Sequence, residues 1–534
     1  MPLQYKKYWL ITITLTVLLA FSFQGSRGLW EPDEGRYVRC AYEMVQSGDW
    51  LTPRLNNTPH FTKPPLTYWL IATGLTLFGL NEWGARFFHA IAFVLTALMA
   101  GYLASRMWDK KTGLLTALVY VTMVLPFISA NIATTDMILT CFETGAMLSF
   151  WMCTAKQQNP ALHTTLWGAL MSLLLGLAFL TKGPPALLPL LACMVYLWLS
   201  LQGKKISWTQ LIPGIMVFAG IALPWYLFVI QKNIGLLSYF LKDEFFGRIV
   251  TGEHGRNSGP LGALTIYPAS LFFGALPWSW LWCIWGWNNR AGIVTLRWWK
   301  QLRQHDNALF IAVWFLLPLF LLTIASSRLP LYILPLFVPL ALASARALLQ
   351  YYPDQATALS LMRGKPFVYV LLLFFSLICS RGIAAYQTPQ RDSRYLWQQI
   401  RTAIHEHASD GPYELSTIGL SHEGLAFYSR RAVDRIQVRK EHSHAFIPKK
   451  GIEQKCDEML NNNALQVFLV SRRDVKRATA AFDKRGIHHV IEQGPFDYAL
   501  FFCQKTAAQN SRVTRAAQQK NGLASGPPMA VPGN

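Results

Sequence analysis

Long apolar runs separated by short polar segments dominate this chain. They fall at about 8–23, 84–105, 113–130, 136–154, 164–181, 185–202, 209–230, 262–287, 308–325, 330–350 and 366–384. About 20 helical residues cross a hydrocarbon core, and a helix satisfies its own backbone hydrogen bonds there. The pattern predicts a polytopic α-helical membrane protein with about eleven transmembrane helices. The run at 66–80 is only about 15 residues long and contains Gly74 and Gly79, short for a span. It and 42–47 are expected to lie along the interface or against the bundle.

After about residue 390 the period changes. Segments 395–407, 452–461 and 475–484 have helical spacing, while 415–420, 433–438, 464–470 and 490–502 read as strands. They predict a small C-terminal α/β domain. Beyond 505 the chain lacks periodicity, acids and aromatics, so disorder is expected. The expected organisation is a transmembrane module at 1–385 with a large first external loop at 24–83, a soluble α/β domain at 386–505, and a disordered tail at 506–534.

Composition supports the membrane class. Of 534 residues, 52% are hydrophobic and 14% charged, against about 25% charged in soluble domains. The formal net charge of +21 would suggest nucleic acid in a soluble protein. Here its position gives another meaning. Lys6 and Lys7 precede the first run, which has no convincing small-residue cleavage site, so an uncleaved helix with a cytoplasmic N-terminus is expected. Threading from there places Arg106, Lys110, Lys111, Lys156, Lys204, Lys205, Arg290, Arg297, Lys300, Arg303, Arg346, Arg363 and Lys365 in inside loops. Those loops obey the positive-inside rule. The outside segments are then the opening loop, 131–136, 181–185, 231–261, 326–330 and everything after about 385. No nucleic-acid partner is expected. Eight cysteines are scattered without a CxxC pair, and only Cys456 with Cys503 is a disulfide candidate.

The cations outside sit beside Pro, Gly and acidic residues. The opening loop, 29–69, holds Asp33, Glu34 and Arg36 in W-E-P-D-E-G-R-Y and Lys63 in F-T-K-P-P. Asp136 begins a run in T-T-D-M and Lys182 ends one in T-K-G-P-P. Arg248, Glu253, His254 and Arg256 occupy the long external loop, and Arg328 and Tyr332 lie in S-S-R-L-P-L-Y. Converging helix ends would surround one cavity with carboxylates and cations. Lys and Arg without a glycine-rich loop suit a phosphate held electrostatically, and the membrane boundary suits a substrate whose tail stays in lipid. No P-loop or GxGxxG is present. Bland readings stand beside these. The acids could solvate a loop, Arg36 could pair with Asp33, Lys63 and Lys182 could snorkel, Asp136 could have a structural partner, and Tyr332 could be an interfacial aromatic. Glu253 and His254 are the metal candidates, a divalent metal being optional.

W-E-P-D-E-G-R-Y, then S-G-D-W-L-T-P and T-K-P-P-L-T-Y-W, resembles the first external loop of GT-C glycosyltransferases of the protein O-mannosyltransferase superfamily, in particular the bacterial lipid A aminoarabinose transferases (ArnT-like). T-T-D-M, F-L-T-K-G, G-A-L-P-W and R-L-P-L-Y-I-L-P follow in the family's order, so the resemblance covers roughly 8–350. It implies a GT-C fold in the inner membrane, with the active site and C-terminal domain periplasmic. It implies sugar transfer from a polyprenyl phosphate, undecaprenyl phosphate in bacteria, to lipid A or another envelope acceptor. The sugar would be 4-amino-4-deoxy-L-arabinose or a related one. Asp33 would be the essential acid, with Glu34 and Asp136 as further catalytic candidates. Arg36, Lys63, Lys182, Arg256 and Arg328 would serve the donor phosphate, with Tyr332 near it. Thr62 departs from the family's Glu-Lys-Pro, whose Glu is a candidate metal ligand. The alternatives are a protein O-mannosyltransferase-like enzyme acting on Ser/Thr, and a lipid-phosphate flippase or transporter. A flippase would place ionisable residues near the midplane with repeat symmetry; here they gather at one face, without an inverted repeat.

Overall fold

A computed structural model describes residues 3–154, 160–201, 208–242, 257, 259–293, 295, 300–351, 364–387, 391–408, 412–437, 450–459 and 464–504. The chain divides into two compact units. One comprises Met1–Gly28 with Arg36–Thr388, the other Leu29–Gly35 with Pro389–Asn534. The expected tail at 506–534 lies outside the described residues.

Every apolar run of the first unit is helical. Glu82–Met107, Leu162–Lys182, Ile212–Lys232, Asp306–Ile324, Pro330–Tyr351 and Val368–Tyr386 are each long and apolar enough to cross a membrane. The chain is a multi-pass membrane protein. The run at 262–287 is not one straight helix: Leu261–Gly274 and Ser279–Arg290 meet at 113°. Pro277 lies in the break, where its missing N–H and its steric demand on the preceding residue stop a helix. The run at 113–130 is also interrupted. Met123 is extended (φ −69°, ψ 135°) between Lys110–Thr122 and Val124–Ser129, and Pro126 falls in the first turn of the second helix, where no N–H is needed.

The short run forms the helix Leu66–Phe78. It turns back through Gly79 (φ 86°) and Asn81, whose side chain accepts the Gly84 amide at 2.8 Å and caps Glu82–Met107. A Cβ on Gly74 would lie 2.1 Å from the Gly84 carbonyl oxygen. Two glycines therefore let these helices touch backbone to backbone. Within the opening loop, β1 (Arg54–Leu55) and β2 (Thr58–Pro59) pair antiparallel around Asn56 and Asn57. Both asparagines have positive φ, as a two-residue hairpin turn requires. Glu43 accepts their amides at 2.8 and 3.0 Å and pairs with Arg39 at 2.6 Å.

The second unit contains a five-stranded sheet of order β4-β3-β5-β7-β6. β3 (Tyr413–Ile418) is parallel to β4 (Val433–Ile436) and β5 (Leu465–Val470). β7 (Ala499–Gln504) is antiparallel to β5 and to β6 (His488–Gln493). Every residue of β5 is buried, as for a central strand covered on both faces. Leu396, Ile400, Leu425 and Val467 form one core and Ile418, Cys456, Phe482 and Phe501 another. The segment 490–502 is two strands, not the expected one. Gly494 and the 3-10 turn Pro495–Asp497 fold it back on itself, because Pro cannot donate to a ladder. Cys456 and Cys503 are free thiols buried in the second core, not a disulfide.

His422 is 5% exposed, with Nε2 3.1 Å from the Tyr498 hydroxyl. Burial pushes its imidazole down to about 4 from 6.5. The folded chain keeps His422 neutral in that window while the unfolded chain takes up a proton. Stability therefore falls as pH is lowered from 6.5 toward 4, by up to about 3 kcal/mol. Thermal melts of the detergent-solubilised chain between pH 7 and 4.5 should show this loss, and His422→Asn should remove most of it. Equal acid sensitivity in both proteins would refute the assignment.

Candidate active site

Helix ends bring the central charges of the first unit together. Thr134 is extended at the N-cap of Thr135–Cys153, and its hydroxyl donates to Asp136 Oδ2 at 3.1 Å. Asp136 thus lies in a first helical turn and Lys182 in the last turn of Pro160–Lys182, the ends at which helix dipoles favour an acid and a base respectively. Lys182 Nζ donates to Asp136 Oδ1 at 2.5 Å, each side chain being 9% exposed. The same ammonium lies 4.4 Å from the centroid of the Tyr332 ring, a cation–π distance. Tyr332 is held by the 3-10 segment Pro330–Leu336.

Gly183 ends the Lys182 helix with φ 75°, a conformation that glycine takes without strain. A Cβ there would lie 3.6 Å from the Tyr226 hydroxyl and 4.0 Å from Pro64. The T-K-G-P-P and F-T-K-P-P turns are therefore neighbours, which brings half-buried Lys63 to the region of Lys182. Aromatic packing fixes the opening loop there. Phe61 stands 6.5 Å from Trp225 and 6.4 Å from Phe240. Trp225 Nε1 donates to the Leu51 carbonyl at 2.8 Å, and Trp69 Nε1 to that of Trp50 at 2.5 Å. Arg36 is half-buried, 5.5 Å from the Tyr37 ring, which lies 5.6 Å from Tyr68.

Asp33 and Glu34 belong to the second unit, where the acidic cluster divides. Glu34 is buried and bent back on the Trp30 amide, which donates to its Oε2 at 2.9 Å. Glu31 is buried too. Asp33 alone of the three keeps partial solvent access, at the start of the helix Asp33–Ser47. Arg328 turns its guanidinium on backbone carbonyls: Thr323 at 3.0 Å, Asn257 at 2.9 Å and Gly259 at 3.3 Å. It clamps a loop, a role that its motif did not reveal. Arg248, Glu253, His254 and Arg256 lie outside the described residues.

Sequence reasoning missed two features. Glu143 is buried two turns along from Asp136 and interacts electrostatically with Lys182 and Asp136; its seven-residue spacing from Asp136 was the available signal. Arg86 and Arg381 lie inside apolar runs, itself a flag. Arg86 donates to the carbonyls of Gln24 at 3.0 Å, Arg27 at 3.0 Å and Gly28 at 2.8 Å. Arg381 donates to those of Leu19 at 2.5 Å and Phe127 at 2.6 Å. At the position of the family's candidate metal ligand, Thr62 Oγ1 lies 2.7 Å from His60 Nε2. Among the described residues no group of three His, Cys, Asp or Glu side chains could hold a metal.

Comparison with known proteins agrees with this architecture. Residues 7–240 match the family model for dolichyl-phosphate-mannose-protein mannosyltransferase. The chain is 30% identical over 334 residues to an undecaprenyl phosphate-alpha-4-amino-4-deoxy-L-arabinose arabinosyl transferase of Pseudomonas fluorescens, covering 62% of this chain and 56% of the relative. It is 32% identical over 355 residues to the protein of that name from Pseudomonas paraeruginosa, covering 66% and 61%. The alignments thus span under two thirds of these relatives' length. ArnT from Cupriavidus metallidurans, in a crystal structure bound to undecaprenyl phosphate, superposes with TM-score 0.73 at 19% identity, over 94% of this chain and 98% of that one. An archaeal oligosaccharyltransferase from Archaeoglobus fulgidus gives TM-score 0.51 at 14% identity, over 92% and 70%. The fold is therefore shared with that of ArnT. By sequence the chain is similar to the dolichyl-phosphate-mannose-protein mannosyltransferase model over 7–240 and to the bacterial arabinosyl transferases.

Breaking a buried ion pair from one side strands the other charge, at a cost of about 3–5 kcal/mol. Lys182→Met and Asp136→Asn should each destabilise the chain in detergent melts by that order, and the double variant by clearly less than their sum. Additive losses would show that the two residues do not act as a pair.

Proposed function

We propose that this chain is a membrane glycosyltransferase. It moves a sugar, 4-amino-4-deoxy-L-arabinose or a related one, from polyprenyl phosphate to lipid A or another envelope acceptor at the periplasmic face of the inner membrane. The observation that carries this reading is the Lys182 ammonium, held between Asp136 and Tyr332 beside the turn that bears Lys63. Its support from relatives is the name shared by the arabinosyl transferases, which states an undecaprenyl phosphate-linked sugar.

The chemistry follows from the groups present. The lipid phosphate leaves as the sugar anomeric carbon bonds to the acceptor oxygen. An ammonium has three N–H donors; Asp136 takes one of those on Lys182, leaving others to face a phosphate oxygen. Lys63 and Arg36 add positive charge. Fixed cations at a developing anion lower the barrier without reorganising during the reaction. Asp136, with Glu143 behind it, is in this reading a positioning residue for Lys182. Asp33 acts on the other partner. A hydroxyl acceptor needs it as a base. A lipid A phosphate is already an anion, and Asp33 would then orient it or stabilise positive charge on the sugar ring. Glu34 organises the loop. Transfer to Ser/Thr of proteins is the second reading, favoured by the mannosyltransferase family model over 7–240.

Mass spectrometry of lipid A and of the envelope glycoproteome, with and without the gene, separates the two acceptors. Loss of one sugar from one fraction is expected, and Asp33→Ala should reproduce it, with turnover reduced about 100-fold or more. No change in either fraction defeats the transferase reading. Orientation is tested separately: a reporter fused after Gly203 should be cytoplasmic and one after Gln387 periplasmic. The reverse pattern would put the site on the wrong face.

A further inference from the structure

We infer that the C-terminal α/β domain is the positioning device for the acidic segment that carries Asp33, and that the Glu31 carboxylate is the group it grips. The inference rests on the proposed role of Asp33 for its catalytic consequence, though not for the grip itself.

β3 lies between β4 and β5, all three parallel; the chain leaves the C-terminal end of β3 toward β4 and that of β5 toward β6 on the other side, so a switch point falls between β3 and β5. In open α/β sheets such a switch point is where ligands bind. Here the chain places its own carboxylate just beyond that end of β3. Glu31 Oε1 accepts the Gly424 amide at 2.6 Å and the Ser393 hydroxyl at 2.6 Å, and the side chain is 5% exposed. Backbone bonds extend the grip. The Glu31 amide donates to the Arg391 carbonyl at 2.9 Å, and the Ser393 amide to that of Leu29 at 3.0 Å. Trp30 and Asp392 form an antiparallel bridge. The Leu29 amide donates to the Tyr428 hydroxyl at 2.9 Å.

The seat is shaped by two glycines. A Cβ on Gly35 would lie 2.1 Å from Glu31 Oε1. One on Gly424 would lie 2.6 Å from the same oxygen and 2.8 Å from Ser393 Oγ. Only hydrogen at both positions leaves room for the carboxylate. Asp392 meanwhile caps the helix Ser393–Ala408 by accepting the amides of Arg394 at 2.9 Å and Tyr395 at 3.0 Å. The anchor is thus a helix start, a sheet end and a buried carboxylate, two residues before Asp33. A charge buried this deeply is costly unless its hydrogen bonds are made. The bonds from Gly424 and Ser393 offset that cost only in the seated position, and they hold the acidic segment there.

Glu31→Ala and Gly424→Ala attack the grip from its two sides, and Glu31→Gln keeps an acceptor oxygen. The full chain in detergent is followed by hydrogen exchange and by transfer from undecaprenyl phosphate-4-amino-4-deoxy-L-arabinose to lipid A. Both Ala variants should exchange about tenfold faster at 29–35 and 391–393. Their kcat should fall about tenfold with KM for the donor unchanged, and Glu31→Gln should recover much of both. Ser393→Ala, which removes one donor, replaces any variant that fails to fold. Unchanged exchange in the variants would overturn the grip; faster exchange with wild-type kcat would overturn positioning. A wild-type chain that exchanges as expected but transfers no sugar to any envelope acceptor would instead defeat the proposed function, leaving the grip established.

Discussion

A charge enters a helical bundle only with its partner, and the Lys182–Asp136 pair is where this constraint bears hardest. Each residue sits at the helix end whose dipole favours it, and each is almost wholly buried. The local structure around them is organised accordingly. Gly183 takes a left-handed turn to stop one helix immediately after its lysine, and Thr134 supplies a hydroxyl to the second carboxylate oxygen. Tyr332 closes the ammonium from a third segment. Paired, the ammonium meets a carboxylate and an aromatic ring at once.

The same accounting applies to the backbone. Helices that stop or bend near the site leave carbonyls that no water of the hydrocarbon region can satisfy. Arg86, Arg328 and Arg381 answer those carbonyls, each spending its guanidinium on two or more of them. A guanidinium suits this work because its donors are fixed in a planar fork. Among the described residues the positive charge therefore has at least two distinct uses: buried arginines that satisfy backbone carbonyls, and a lysine paired within the candidate site.

What could be read from the sequence follows from how far apart the interacting residues lie. The apolar runs were legible because a membrane span is local and its length is fixed. Their breaks were less so: Pro277 marks one, but nothing in the run marks Met123. Asp136 and Lys182 were legible singly, as charges at the ends of apolar runs. Their union was not, since 46 residues separate them. The carbonyl contacts of Arg328 were not legible, because a cation in a Pro-rich motif reads alike whether it meets phosphate or carbonyl. The strand pair β6–β7 was fused into one by its apolar flanks, although Gly494-Pro495 gave the turn signal.

The acidic cluster shows the limit most clearly. Glu31, Asp33 and Glu34 are equivalent to any reading of local chemistry, and the partners that separate them include one 393 residues away. Once Glu31 is bound to Gly424 and Ser393, and Glu34 to Trp30, both are acceptors already engaged in holding the segment. Asp33, between them in sequence, is the one of the three that keeps partial solvent access. Part of the charge density of the opening loop is thus structural: two of its carboxylates are buried acceptors that hold the segment together.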